Sequence, residues 1–196
     1  LKRNSFYKSN LKFEKEKSLE LDYGSFLSSL KMVARVEYFQ NEHTNRITQL
    51  INKTNQFNLN KNRISQSEID TIFNSKNYLA ITGSLSDKYG EHGLVSVIIG
   101  DIIKSNLVIS TWVMSCRVFS RELEFAMFDF ILNECRKRKK KKIDAIYKET
   151  DKNSIVKDFY KVLGFELQNE SNGCELWTFE LPKRVKYYNK HIKVNK

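Results

Sequence analysis

The chain reads as an α/β domain with a central, mostly antiparallel sheet. Two observations predict it. Three consecutive runs, residues 78–86, 94–103 and 107–114, are rich in β-branched and aromatic residues and are joined by short turns, which implies antiparallel neighbours. Apolar residues at helical spacing flank them, at Ile47, Leu50 and Ile51 before and at Leu123, Met127, Phe130 and Ile131 after. The whole order is strand, two helices, three strands, helix, strand, helix, hairpin.

Residues 1–30 are charged and helix-permissive, with Phe13, Leu19, Leu21, Phe26, Leu27 and Leu30 spaced as an amphipathic stripe. They read as a helical linker arriving from a preceding domain. Residues 31–181 form the domain proper. Residues 31–39 alternate, with Met32, Ala34, Val36 and Tyr38 on one side, as a strand does. Thr44 is placed to cap the first helix. Ser65-Gln66-Ser67-Glu68 has capping-box form, and the short helix behind it buries Ile69, Ile72 and Phe73.

After the three strands, Ser120 is placed to cap a helix that ends in Arg136-Lys137-Arg138-Lys139-Lys140-Lys141-Lys142. Cations there complement the helix dipole. Residues 143–147 are a strand. Asn153 opens a helix that Gly164 stops, and residues 165–168 and 175–181 flank an Asn172-Gly173 hairpin turn. Residues 182–196 read as a basic, mobile C-terminal tail.

Composition narrows the function classes. The 196 residues are 40% hydrophobic and 29% charged, with one proline and seven glycines, which fits one globular domain with an appendage. No apolar run approaches membrane-spanning length and no signal-peptide pattern occurs, so no membrane partner is expected. The net charge of +11 suits an acidic partner. Basic and aromatic residues are not interleaved into a recognised nucleic-acid module, so nucleic acid is not expected. Cys116, Cys135 and Cys174 are too widely spaced for a disulfide framework or a metal site and fit a reducing, cytoplasmic setting. No metal-ligand spacing of another kind occurs, so no metal is expected. The chain opens on Leu1 and reads as a piece of a longer protein.

Three signatures carry the functional expectation. The first is Asn52-Lys53-Thr54-Asn55-Gln56-Phe57-Asn58-Leu59. The second, at a strand-to-helix junction, is Ser115-Cys116-Arg117-Val118-Phe119-Ser120-Arg121-Glu122-Leu123-Glu124. The third runs from Lys152-Asn153 through Val156 to Phe159-Tyr160 and Leu163-Gly164-Phe165. Free N–H groups at a helix start make an anion site suited to a phosphate. A thiol beside arginine near a helix N-terminus is activated as a nucleophile. Amides grip carbonyls and hydroxyls without changing charge, which suits Asn52, Asn55, Gln56 and Asn58 to a polyhydroxylated group. His92, in a glycine-containing turn, is placed to act as acid or base. Each group also has a structural use: arginines solvated beside a capped helix, a cysteine packed in the core, amides closing turns, a histidine exposed on a hairpin.

Together these signatures resemble the C-terminal half of the FkbH-like proteins, which join a haloacid-dehalogenase-like phosphatase to a GNAT-like (N-acetyltransferase-like) acyltransferase domain. The turn Asp87, Gly90, Gly93, Leu94, Val95 also fits that family, with Glu91 where aspartate is usual. The resemblance implies a GNAT-like sheet with helices on both faces. It implies transfer of a glyceryl-type, three-carbon acyl group to an acyl-carrier-protein thiol, with Cys116 as the thioester relay. It further implies Tyr160 as donor to the leaving thiolate, and Arg117, Ser120 and Arg121 at the phosphopantetheine phosphate.

The expected substrate is a phosphopantetheine thioester on carrier protein or coenzyme A, with no tightly bound cofactor. The expected partners are a carrier protein and the N-terminal phosphatase-like domain. The paired aspartates of such a phosphatase are absent, so this chain alone is not expected to hydrolyse phosphate esters. In the GNAT loop pattern Arg/Gln-x-x-Gly-x-Gly/Ala, Ser120 and Glu122 replace both small residues. That departure weighs against coenzyme A binding in the usual GNAT manner and favours one alternative, a catalytically silent GNAT-like module that docks a carrier protein or partner domain; a second alternative, a coenzyme A-dependent N-acetyltransferase, is favoured only by the fold. An open gap between the strands before and after the Ser120 helix would favour an acyl-pantetheine site. A buried Cys116 would favour the silent module.

Overall fold

The computed structural model describes residues 12–18, 22–184 and 186–195. Leu19 and Leu21 of the expected N-terminal stripe, and the start of the linker at residues 1–11, lie outside the described residues. Residues 12–18 are helical. Helix α1 (Tyr23–Ser29) follows, capped by the Asp22 carboxylate, which accepts the N–H groups of Gly24 and Ser25. Phe13, Phe26, Leu27 and Leu30 are buried in the main core, so this part of the linker packs as part of the domain.

Then come β1 (Met32–Tyr38), α2 (Thr44–Lys53), a two-residue strand β2 (Phe57–Asn58) and α3 (Gln66–Phe73). The Ser65–Glu68 capping box forms in full. Thr44 does not cap α2. It is the helix's first residue, its hydroxyl donates to the Asn41 carbonyl, and a 3₁₀ turn over Asn41–His43 leads in.

Strands β3 (Tyr78–Asp87), β4 (Gly90–Ile103) and β5 (Asn106–Met114) are consecutive antiparallel neighbours. β4 begins at Gly90, so the expected turn over residues 87–93 is mostly strand, and bulges between Gly83/Ser84 and Leu85/Ser86 absorb its irregularity. The later elements are α4 (Leu123–Lys137), β6 (Lys142–Lys148), a 3₁₀ turn over Ser154–Val156, α5 (Phe159–Val162), β7 (Glu166–Ser171), β8 (Cys174–Glu180) and β9 (Ile192–Asn195). Asn172 and Gly173 both have positive φ, as a two-residue hairpin turn requires.

The sheet order is β7-β8-β6-β5-β4-β3-β1-β9, with β2 attached to β5. Among the described residues, only β5/β6 and β1/β9 pair in parallel. Both faces are covered. Leu79, Ile81, Val95, Ile98 and Trp112 pack with α4 and α1 in the main cluster, while Ala80, Leu94, Val97, Ile99 and Val113 pack with α2 and α3 in the second. The C-terminal segment corrects its expectation. Ile192 pairs with Met32 in the sheet, and the Asp129 carboxylate of α4 accepts the N–H groups of Tyr188 and Asn189 at 2.9 and 3.0 Å. Residues 186–195 are a folded edge of the domain because one buried carboxylate and one strand register hold them.

Candidate active site

β5 and β6 pair only from Asn106↔Lys142 to Ile109↔Ala145. Beyond Ile109 the β5 edge takes a different partner. Phe57 and Asn58 of β2 stand opposite Met114 and Val113. The Leu59 N–H donates to the Trp112 carbonyl at 3.2 Å, and the Lys148 N–H donates to the Leu59 carbonyl at 2.7 Å. Residues 57–59 therefore fill the gap between the separating ends of β5 and β6.

Side chains lock this wedge. Asn153, 1% exposed, donates to the carbonyls of Asn58 and Lys148, both at 2.9 Å, and accepts from the Thr150 N–H and the Tyr147 hydroxyl. Asn60 donates to the Ser110 carbonyl. The Phe57 ring packs against Phe159, Phe119 and Trp112 at centroid distances of 5.0, 6.1 and 6.5 Å. The gap that an acyl-pantetheine arm would need is occupied by the chain itself.

A cleft of about 1290 Å³ adjoins the wedge. It is lined by α2 with His43 before it and the following residues to Phe57, by Tyr89 and the start of β4 from Gly90 to Leu94, and by Met114, Ser115, Cys116 and Arg117. Cys116 is exposed and starts a 3₁₀ turn over Cys116–Val118 that Ser115 caps. The cleft brings Cys116, His92, Asn55, Gln56 and Arg117 of the expected site together. The Cys116 thiol does not sit at an α-helix N-terminus, because α4 begins only at Leu123. The dipole basis for its activation is therefore absent.

His92 is not the exposed turn residue its sequence position suggested. Its side chain is 2% exposed, and Nε2 lies 2.9 Å from Asp87 Oδ2. The same oxygen accepts from Arg121 Nε at 2.7 Å. Burial alone would raise the Asp87 carboxyl's pKa, but hydrogen bonds from His92 and Arg121 overcome it and hold the group below the usual carboxylate range. The guanidinium of Arg121 also lies 4.0 Å from the Phe13 ring centroid and donates to the Arg117 carbonyl.

Arg121 is thus a buried structural cation beneath the cleft. Its expected contact with a phosphate is replaced by the pair with Asp87. Ser120 is likewise committed: its hydroxyl accepts from Lys17 and its carbonyl accepts from Tyr23 at 2.6 Å. Nor does Ser120 cap α4. That position belongs to Glu122, which makes no side-chain cap bond. Ser120 and Glu122 both have φ of 61°, the left-handed region that favours glycine. The loop keeps a backbone shape suited to two small residues, yet it carries Glu122 at one position, 3.9 Å from His191.

The four expected substrate amides divide in two. Asn52 holds the backbone of Ile64 through both its oxygen and its nitrogen, and Asn58 is buried between Thr54 and Lys61. Those two close the turn. Asn55 and Gln56 are exposed, line the cleft, and make no side-chain hydrogen bond among the described residues. Tyr160 is 1% exposed, packed against Trp112, Phe159 and Phe165, and burial pushes its hydroxyl's pKa far up. A hydroxyl sealed there is a core group and not a proton donor to a thiolate in the cleft. Sequence reasoning missed two residues, Arg46 on the α2 wall of the cleft and Asp87 as the partner that orients His92. The i to i+5 spacing from Asp87 to His92 across a glycine turn was the available signal.

No protein-family model matches the chain, and no curated protein matches it in sequence. Solved structures do match. Ribosomal-protein-S18-alanine N-acetyltransferase from Escherichia coli superposes with a TM-score of 0.59 at 10% identity, over 81% of this chain and 100% of that one. Ard1 from Thermoplasma volcanium gives 0.59 at 13% identity, over 77% and 99%. YncA from Salmonella typhimurium, solved with its cofactor acetyl-CoA, gives 0.56 at 12% identity, over 81% and 98%. The chain has the GNAT fold. Among the described residues, no helix is long and apolar enough to cross a membrane.

Proposed function

We propose that this chain is an acyltransferase domain of the FkbH-like type, passing a glyceryl-type acyl group to an acyl-carrier-protein thiol through Cys116. The observation that carries this reading is the shared cleft: an exposed thiol, a histidine oriented by a buried aspartate, and two uncommitted amides line one cavity. In this reading His92 takes the Cys116 proton. The sulfur attacks the acyl carbonyl, and the donor's leaving group departs with that proton. The carrier's thiol then attacks the Cys116 thioester, giving its own proton to His92 and releasing the Cys116 sulfur. Asn55 and Gln56 hold the hydroxyls of the acyl group. The carrier arm enters the cleft from solvent, since the strand gap is filled.

A coenzyme A-dependent N-acetyltransferase is the second reading, favoured by the fold shared with an acetyl-CoA-bound structure. The wedge at Phe57–Asn58 and the carboxylate of Glu122 weigh against it. The test is the rate of glyceryl transfer from a donor thioester to holo carrier protein, for the parent and for Cys116→Ala and His92→Asn. Loss of transfer in Cys116→Ala and a decrease of about 10²-fold or more in His92→Asn support the relay. Transfer at the parent rate in Cys116→Ala rejects it.

A further inference from the structure

Two walls of the cleft are gripped by the segment that precedes β1. That segment holds the β3–β4 connection twice: Glu16 pairs with Lys88 at 2.6 Å, and the Leu30 carbonyl accepts the Lys88 N–H at 2.9 Å. It also holds the loop after the Cys116 turn twice. Tyr23 donates its hydroxyl to the Ser120 carbonyl at 2.6 Å, and Lys17 donates to the Ser120 hydroxyl at 3.1 Å. These grips converge on the next residue, Arg121, whose side chain is 2% exposed. Its guanidinium lies 4.0 Å from the centroid of the buried Phe13 ring, its Nε donates to Asp87 Oδ2 at 2.7 Å, and its Nη1 donates to the Arg117 carbonyl at 3.1 Å. The same Asp87 oxygen lies 2.9 Å from His92 Nε2. Phe13, Arg121, Asp87 and His92 thus form one continuous run of contacts from the linker to the cleft. A buried guanidinium is strongly destabilised when separated from its carboxylate, and an aromatic face against it favours the charge and keeps water off. The place of Asp87, and with it that of His92, is therefore set by a segment outside the cleft.

We propose that Phe13, Tyr23 and Arg121 are positioning residues for His92, so that the segment before β1 acts as a strap that aligns His92 with Cys116. Displacing the strap moves Arg121, releases Asp87 and misaligns the imidazole, which makes the docking of the linker a control on the cleft's chemistry. The inference rests on the acyl-transfer reading and deepens it by naming what regulates the site.

The experiment times the alkylation of Cys116 by iodoacetamide in the full chain, by peptide mass spectrometry, with the exposed Cys174 as internal reference. The His92 Cε1–H resonance is recorded on the same samples by NMR. The variants are Phe13→Leu, Tyr23→Phe, His92→Asn and each strap variant combined with His92→Asn, with thermal melts confirming the fold of each. Tyr23 is 40% exposed, so Tyr23→Phe keeps the ring, removes only the hydroxyl and carries the test should Phe13→Leu not fold. The expected result is that Phe13→Leu slows Cys116 relative to Cys174 by about tenfold or more, since a small misplacement of a reacting group is enough for that. Tyr23→Phe slows it in the same direction. Both shift or broaden the His92 resonance, and neither slows Cys116 further once His92 is asparagine, because residues acting through one group are not additive. An unmoved His92 resonance in the folded strap variants, or losses that add to that of His92→Asn, overturns the positioning role and leaves the linker as packing. The relay is scored separately. Alkylation at the parent rate in His92→Asn removes His92 as the base for Cys116 and sinks that reading, while the His92 resonance in the strap variants still decides the strap.

Discussion

Lys148 donates its backbone N–H to the Leu59 carbonyl at 2.7 Å, so the end of β6 pairs with a loop from the first third of the chain and not with β5. This contact moves the candidate chemistry. With residues 57–59 bonded to both strands, the cleft beside Cys116 is the accessible cavity at this end of the sheet.

The wedge depends on Asn153, whose amide makes four hydrogen bonds from a site 1% exposed. Removing the amide leaves buried carbonyls and an N–H without partners, a cost of about 1–3 kcal/mol for each such group before relaxation. Asn153→Ala is expected to lower stability by about 3 kcal/mol in urea denaturation. A change below about 1 kcal/mol would mean that water replaces the amide and that the wedge is loosely held.

Asp87 sets the acid limb of stability. Its folded pKa is below the unfolded value, so its contribution is present above the unfolded pKa and is lost as pH falls through the folded one. Unfolding free energy is therefore expected to decline below about pH 4. Asp87→Asn leaves the Arg121 charge buried without its counter-ion and is expected to cost about 3–5 kcal/mol at pH 7. It should also flatten that acid decline. An acid limb unchanged in Asp87→Asn would contradict this assignment.

Glu124 works in the opposite direction. Burial, with a smaller contribution from Glu122, raises its pKa to about 7, and its Oε2 has no partner among the described residues. The folded state then holds a proton that the unfolded chain releases near pH 4.5. Stability from this group is full below the unfolded value and falls as pH rises to about 7. Glu124→Gln is expected to remove that slope and to stabilise the protein at pH 8 by about 2 kcal/mol. An unaltered slope between pH 5 and pH 7 in the variant would place the titration elsewhere, and those bounds bracket the window set by the shift.

The fold was largely legible because its signals are local. The β-branched and aromatic runs in residues 78–114, the Ser65–Glu68 box and the Asn172-Gly173 turn each act within a few residues, and each appears in the structure. The site was half legible. Cys116, His92, Asn55, Gln56 and Arg117 meet in one cleft, but which amides line it and which arginine is buried beneath it depends on contacts distant in sequence. Asn153 reaches Asn58 across 95 positions, and Arg121 reaches Asp87 across 34. No periodicity encodes such pairs. The C-terminal segment was misread for the same reason, since only the register of Ile192 on Met32 shows that it is a strand.

The most direct measurement is the mass and position of an acyl adduct after the protein meets a glyceryl thioester, mapped by proteolysis and tandem mass spectrometry. Three thiols compete. Cys135 is buried, and burial pushes its thiol up to about 12, while Cys174 is exposed on β8 away from the cleft lining. The expected result is one glyceryl group, on the peptide bearing Cys116, which disappears when holo carrier protein is added. An adduct on Cys174 instead, or none on a folded protein, would contradict a relay through the cleft.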